Sequence, residues 1–473
     1  MIHAAYEEYT ETGLPWLPEI PKEWEVVNLR RGIDFLTDFE ANGSFADVKK
    51  NVELDTDEKY AWYLRATDLQ NNRVGISDEV RTCDKKAYDY LAKTRLYGGE
   101  FLVAKRGEVG KIYVVPELPC KATLAPNLYL IRLNEKLNTK FTYYWYSSSY
   151  GKPELFLANK STTIGALYKD DVRACKILLP SVYEQEKIAN FLDHETAQID
   201  TLIEKQQHLI KLLKEKRQAV ISHAVTKGLN PNAPMRESGV EWLGEVPEHW
   251  ETMRLKYQVE MLPGYAFKSA GFVDSSEEIN LLRGINIAPG NVRWDEAVYW
   301  PSHNNDDLTE YVLQEKDLVL GMDRPWVGGG LRLAMLSNED LPAYVVQRVA
   351  RIRGVQDVSQ EYLFDLLSAP GFSSYFDPIT TGVSVPHIST DQIGEYYFAL
   401  PPRSERQEIV EFIGLNTSKY KKLVDCAEIA IKLMKERRTA LISAAVTGKI
   451  DVRNWQAPEL SNIAINKIKE VAT

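Results

Sequence analysis

Proteins read nucleic acid with a small set of side chains carried on turns. Arginine forks onto guanine edges, asparagine and glutamine onto adenine, while lysine, serine, threonine and backbone amides hold phosphates. This chain places such groups at corresponding points of its two halves. In the first half Arg65, Asn71, Asn72 and Arg73 surround a turn. A strand-turn-strand follows in which Lys105, Arg106, Lys111, Lys121 and Arg132 outnumber Glu108 and Glu117. In the second half the counterparts are Arg283, Asn286, Asn291 and Arg293, then Arg324, Arg332, Arg348, Arg351 and Arg353. Two polar loops add Thr162 and Thr163, and Thr381, Ser384 and His387. Trp326 fits either stacking near a duplex or core packing. A single exposed arginine is most often a solvated charge, so the ensemble carries the reading.

Motifs for covalent chemistry are missing. The Gly110-Lys111 pair has Lys105 where a phosphate-binding loop needs its first glycine, and Ile112 where it needs Ser or Thr. The Gly328–Gly330 run reads as a turn. There is no His-Glu-x-x-His, no Gly-x-Ser-x-Gly, no dinucleotide-binding glycine fingerprint and no Asp/Asn-Pro-Pro-Tyr/Phe tetrapeptide of an amino-methyltransferase. The histidines and the four cysteines (Cys83, Cys120, Cys175 and Cys426) are scattered, forming neither a zinc set nor a disulfide framework, which points to a reducing cytoplasm. The chain reads as non-catalytic, with no metal and no cofactor of its own. A single-chain methyltransferase or nuclease with an unrecognised active site is the alternative, and a coiled-coil protein scaffold a third reading.

The elements that must position these residues show a duplication. "TGLPWLPEIPKEWEVVNLR" at 12–30 returns as "SGVEWLGEVPEHWETMRLK" at 238–256, with Trp16, Pro21 and Trp24 matching Trp242, Pro247 and Trp250. A period of roughly 220 residues is too long for a solenoid and suits a duplicated domain. Each body follows one order: a strand into a polar turn, a strand-turn-strand, a third strand, an aromatic helix, a polar loop and a closing strand. Helical segments of about forty residues follow each body, aligned without a gap: Glu184 with Glu405, Phe191 with Phe412, Val225 with Val446. Each would run roughly 60 Å. Leu192, Ile199, Gln206, Leu213 and Val220 recur every seventh position, with Leu202 and Leu209 between them; the second copy offers Ile413, Tyr420, Ala427, Met434 and Leu441, with Leu423 and Ala430. These seams predict that the two helices pack on each other. The expected fold class is therefore α+β: two tandem α/β domains and two long coiled-coil helices, with an internal pseudo-twofold repeat. The expected boundaries are 1–180, helix 181–227, 228–401, helix 402–450, and a tail 451–473.

The net charge of −10 argues against indiscriminate nucleic-acid binding, but fits a subunit whose partners supply phosphate contacts. The N-terminus lacks the basic end and apolar core of a signal peptide, and no apolar run is long enough to span a bilayer.

The two Trp-Leu-x-Glu-(Ile/Val)-Pro-x-x-Trp segments, the paired helix openings Leu-Pro…Glu-(Gln/Arg)…Ile, and the helix ends "HAVTKGL" and "SAAVTGKIDVRNW" resemble the specificity subunit of type I restriction-modification systems over essentially the whole chain. That resemblance implies two target-recognition domains held apart by antiparallel helices, each reading one half of a bipartite asymmetric DNA target. It implies two modification subunits that methylate adenine with S-adenosylmethionine, and restriction-translocation subunits that use ATP and Mg2+. The cofactors would belong to those partners. Recognition domains diverge within the family, so the resemblance assigns no base-contacting residue.

Overall fold

The computed structural model describes residues 4–70, 73–74, 80–158, 166–302, 307–328, 330–380 and 386–457. Two compact units emerge: residues 1–206 with 429–473, and residues 207–428. Each therefore takes one body, the near part of one long helix and the far part of the other.

The first unit is built on a four-stranded antiparallel sheet in the order Ile112–Val114, Phe101–Ala104, Leu128–Leu133, Ile33–Asp38. Alternation gives way here to continuous apolar runs, because Phe101–Ala104 is buried on both faces. A second sheet pairs Ala61–Leu64 with Ala122–Leu124 in parallel, flanked by Thr82–Cys83 and Arg95–Leu96. The closing strand Lys176–Leu179 pairs with Glu25–Asn28. The helix Thr139–Ser147 is opened by Asn138, whose side chain accepts from the Phe141 amide, and buries Phe141, Tyr144, Trp145 and Tyr146.

The second unit repeats this plan, with three strands rather than four in its second sheet. Its first sheet runs Leu333–Met335, Leu318–Gly321, Val349–Gly354, Val259–Pro263; its second pairs Ile279–Leu282 with Ala343–Val345 in parallel; its closing strand Tyr397–Leu400 pairs with Glu251–Arg254. The aromatic helix is Gln360–Ser368, capped by Ser359. A short hairpin, Trp326–Val327 with Gly330–Leu331, is added to the strand-turn-strand.

The long helices are unbroken, Val182–Lys227 and Arg403–Val446. The first opens on a capping pair, with Ser181 Oγ 2.9 Å from Glu184 Oε2 and the Glu184 amide donating to Ser181 Oγ. Just past the helix ends, Gly228 and Gly448 take left-handed φ values of 74° and 72°, where a side chain would be strained. The helices pack antiparallel. In the first unit, Ile188, Phe191 and Leu192 at one helix start share a core with Ile442, Ala445 and Val446 at the other helix end. In the second unit, Ile221, Ala224 and Val225 meet Ile409 and Ile413.

The repeated motif residues do the joining. Trp24 Nε1 donates to Glu184 Oε1 at 3.3 Å, and Trp250 Nε1 to Glu405 Oε2 at 3.0 Å, so each lead-in tryptophan is tied to a helix opening. Gln185 Nε2 donates to the Lys136 and Pro180 carbonyls, and Arg406 Nη1 to the Pro401 carbonyl.

The heptad reading needs one correction. Leu192 and Ile199 are buried, Leu213, Val220, Tyr420, Met434 and Leu441 are half-buried, and Ile413 is buried, as the sevenfold spacing requires. Leu202 and Leu209, however, are 50 and 42 % exposed, and Leu423 is 44 % exposed. The inward positions are the next residues along, Ile203, Ile210 and Val424. After Ile199 the inward step is four residues rather than three, and leucine at the wrong phase misleads a count based on side-chain type alone.

Among the described residues, no helix is long and apolar enough to cross a membrane.

Candidate nucleic-acid interface

Where the central strand of each unit's first sheet ends, two further loops converge on it. In the first unit the Lys105 amide donates to Asn127 O (2.9 Å), and Lys105 O accepts from the Leu167 amide (3.1 Å). Asn127 is left-handed, with φ 76°. In the second unit the Met322 amide donates to Arg348 O (2.8 Å), Met322 O accepts from the Ile388 amide (3.0 Å), and Arg348 has φ 71°. The two frames superpose residue for residue in their bonding: Lys105 with Met322, Asn127 with Arg348, Leu167 with Ile388.

The side chains on these frames differ. In the first unit Lys105 is only 5 % exposed. Its ammonium lies 2.7 Å from Asp38 and 3.0 Å from Glu40, and Lys169 reaches the other Asp38 oxygen at 2.9 Å. Burial works against the Asp38 carboxylate, but the hydrogen bonds from Lys105 and Lys169 outweigh it and hold its pKa below the usual carboxylate value. Lys105 is thus a structural cation and does not face solvent as its turn position suggested. Arg106 beside it is exposed. Lys111 is exposed but pairs with Glu108 at 2.5 Å.

In the second unit Asp323, Arg348 and His387 meet. His387 Nδ1 is 2.6 Å from Asp323 Oδ1, Arg348 Nη1 is 3.2 Å from His387 Nε2, and Arg348 Nε is 3.7 Å from Asp323 Oδ2. The Arg324 amide donates to Pro386 O (2.8 Å), and Arg324 is exposed with φ 46°. The 283–293 turn is tied to the neighbouring strand: Arg332 Nη1 donates to Gly284 O at 3.1 Å, and the Gly290 amide to Leu333 O at 2.8 Å.

Other expected contacts are partly committed inward. Arg65 clasps Asp68 through Nε (3.1 Å) and Nη2 (2.9 Å). Arg283, at the equivalent turn, donates from Nη2 to Glu296 O, while its buried Nε and that of Arg332 have no hydrogen-bond partner among the described residues. Asn286 is buried and serves the turn itself, accepting from the Arg283 amide and donating to Arg293 O at 3.0 Å. Asn291 and Arg293 remain exposed. Trp326 is half-buried and packs on Phe376, with ring centroids 5.7 Å apart, which favours the core role. Asn71, Asn72, Thr162, Thr163, Thr381 and Ser384 lie outside the described residues, and Arg73 falls in the short strand Arg73–Val74.

Much of the basic strand character proves internal. Arg351 is buried and pairs with Glu260 at 2.7 Å; Arg353 holds Asp317 at 2.5 and 2.7 Å. The first unit repeats the latter as Arg132 with the buried Glu100, at 3.8 Å. Arg132 also lies over the Phe35 and Tyr97 rings, and Lys121 over Tyr60. On the long helices, Arg438 is engaged with Asp200 through Nε and Nη2.

Sequence reasoning missed Asp38, Lys169 and Asp323. Their only signal is the duplication itself, which aligns the loops once the strand ends are known. Among the described residues no three His, Cys, Asp or Glu side chains are grouped to hold a metal ion.

Residues 21–212 match the family described as Type I restriction modification DNA specificity domain. The chain is 25 % identical over 442 residues to the MjaVIII type I restriction enzyme specificity subunit of Methanocaldococcus jannaschii, an alignment covering 92 % of this chain and 95 % of that protein. It is 35 % identical over 208 residues to the EcoAI specificity subunit of Escherichia coli, covering 44 % of this chain and 34 % of that protein. Among solved structures, a chain from a study of complex assembly and conformational transition of the type I restriction-modification system shares the fold, with a TM-score of 0.66 at 14 % identity, covering 91 % of this chain and 99 % of that one.

Proposed function

We propose that the chain is a specificity subunit of a type I restriction-modification system, the non-catalytic DNA-specificity component, and that its two units each read one half of a split, asymmetric DNA sequence. The observation that carries this reading is the repeated loop frame with exchanged side chains. One backbone arrangement carries Arg106 and Asn127 in the first unit, and Asp323 and Arg348 at the same places in the second. Two copies of a frame bearing different polar groups suit two different half-sites.

The unbroken helices of 46 and 44 residues supply the spacer between the readers. The chain directs two modification subunits to adenine, which they methylate with S-adenosylmethionine. Restriction-translocation subunits bind the same assembly and use ATP and Mg2+ in the cytoplasm. The exposed groups Arg106, Asn291, Arg293 and Arg324 are the DNA contacts that remain once inward-committed cations are set aside.

Mapping methyladenine across the genome with and without the gene tests this. A single bipartite motif should disappear on deletion. Exchanging residues 31–175 for a relative's equivalent body should change one half of the motif and leave the other intact. Loss of neither half, or change in both, refutes the modular reading.

A further inference from the structure

The Asp323–His387–Arg348 cluster has chemistry that the loop frame alone does not require. At the equivalent position of the first unit stands Asn127, a residue that tolerates the left-handed region because its short amide bonds locally. Arg348 has no such excuse for φ 71°, and the nearby Arg324 has φ 46°. Two arginines held there at one loop convergence point to a role for their side chains.

The hydrogen bonds specify the arrangement. Asp323 Oδ1 accepts from His387 Nδ1, which leaves Nε2 as the acceptor facing Arg348 Nη1. Arg348 Nε lies toward the second Asp323 oxygen. An isolated antiparallel bridge between Asp323 and His387 fixes the two backbones together. Nη1 is thereby held by His387 and Nε faces Asp323, while Nη2 has no hydrogen-bond partner among the described residues. Nη2 and the second Nη1 hydrogen remain to form the fork that matches guanine O6 and N7. Asp323 is itself half-exposed. A carboxylate on such a loop repels phosphate, so a patch built only for backbone binding would not carry it. Its place beside the guanidinium is that of a group setting direction.

We infer that Arg348 reads a guanine in the half-site contacted by the second unit, with Asp323 and His387 as positioning residues that aim its fork. This rests on the proposed half-site reading. A bidentate arginine on guanine discriminates against the wrong base by roughly 5- to 150-fold.

The test uses the chain co-expressed with its modification subunits, with the methyladenine motif read by sequencing. Wild type should give a bipartite motif containing a fixed guanine in the second half. Arg348→Gln and Arg348→Lys should both make that one position degenerate, leaving the first half and the spacing unchanged. Arg348→Lys keeps the charge, so a mere phosphate contact would survive it. Asp323→Asn should relax the same position, with duplex affinity equal or higher; a purely structural role would instead weaken methylation at every site. The inference is overturned if Arg348→Lys, assembled normally, keeps every motif position fixed, or if the variants lower methylation uniformly without relaxing any base. If wild type itself directs no bipartite motif, it is the half-site reading that fails.

Discussion

Replacing Lys105 separates a structural cation from a DNA contact. Its ammonium is buried within 2.7 Å of Asp38 and 3.0 Å of Glu40. Removing one member of a buried pair strands the other charge and costs about 3–5 kcal/mol. Two features pull Lys105→Met toward the low end: Asp38 keeps Lys169 at 2.9 Å, and Glu40 is largely exposed and regains water. Asp38→Asn faces the opposite case, because Lys105 then retains only the exposed Glu40, and should cost about 3–5 kcal/mol. The double variant Lys105→Met/Asp38→Leu removes both buried charges and should recover most of either loss. Urea unfolding of the purified subunit measures all three. In parallel, the salt dependence of DNA binding by the assembled complex should keep its slope in Lys105→Met and lose about one unit in Arg106→Ala if that exposed group holds a phosphate. A Lys105→Met protein of unchanged stability and shallower salt slope would refute the assignment.

Three further outcomes follow from the same geometry. Burial pushes the Asp365 carboxyl up to about 7, with Arg217 opposing and Glu361 adding to the rise. The neutral acid is therefore favoured in the fold; its stabilisation is complete below the ordinary value near 3.8 and is lost as pH rises through about 7. Asp365→Asn should be neutral at pH 4 and more stable than wild type by about 2–4 kcal/mol at pH 8, measured by unfolding across pH; a constant difference would exclude the linkage. Asp38 titrates the other way: its contribution is present above the ordinary carboxylate value and is lost as pH falls through its lowered folded pKa, so Asp38→Asn should cost least in strong acid. On the first helix, Ile203→Ala should cost about 2–4 kcal/mol and Leu202→Ala less than about 0.5 kcal/mol, reversing the ranking expected from the leucine heptads.

Much of the architecture was legible because its determinants are local or periodic. The sevenfold recurrence from Leu192 to Val220, the buried run at Phe101–Ala104 and the aromatic helix Thr139–Ser147 each declare themselves over a few turns or residues. The duplicated Trp24 and Trp250 segments then fixed the repeat. The seam phase was not legible, since Leu202 and Ile203 are both apolar and only the partner helix decides between them. Nor was the fate of each cation. Lys105 finds its acid on a strand far back in the chain, and Arg353 meets Asp317 across a strand pair, so neither pairing has a sequence spacing to betray it.

That hidden pairing explains how an acidic chain serves as a DNA reader. Counted by type, the strand-turn-strands are basic; counted by what remains exposed and unpaired by acid, they are sparse. Lys105, Arg351 and Arg353 are spent on Asp38, Glu260 and Asp317, and Lys111 on Glu108. Phosphate attraction that acts on any sequence is thereby kept low, consistent with the net charge of −10. Discrimination must then come from a few oriented groups rather than from a basic surface. On the inference above, Arg348 is such a group: His387 holds its Nη1, Asp323 faces its Nε, and Nη2 is left available. In the first unit the same backbone frame carries Asn127 and Arg106. Exchanging a handful of side chains on a fixed frame changes what is read without disturbing the sheet, the Trp–Glu ties or the helices. A divergence of recognition on a preserved scaffold requires that separation.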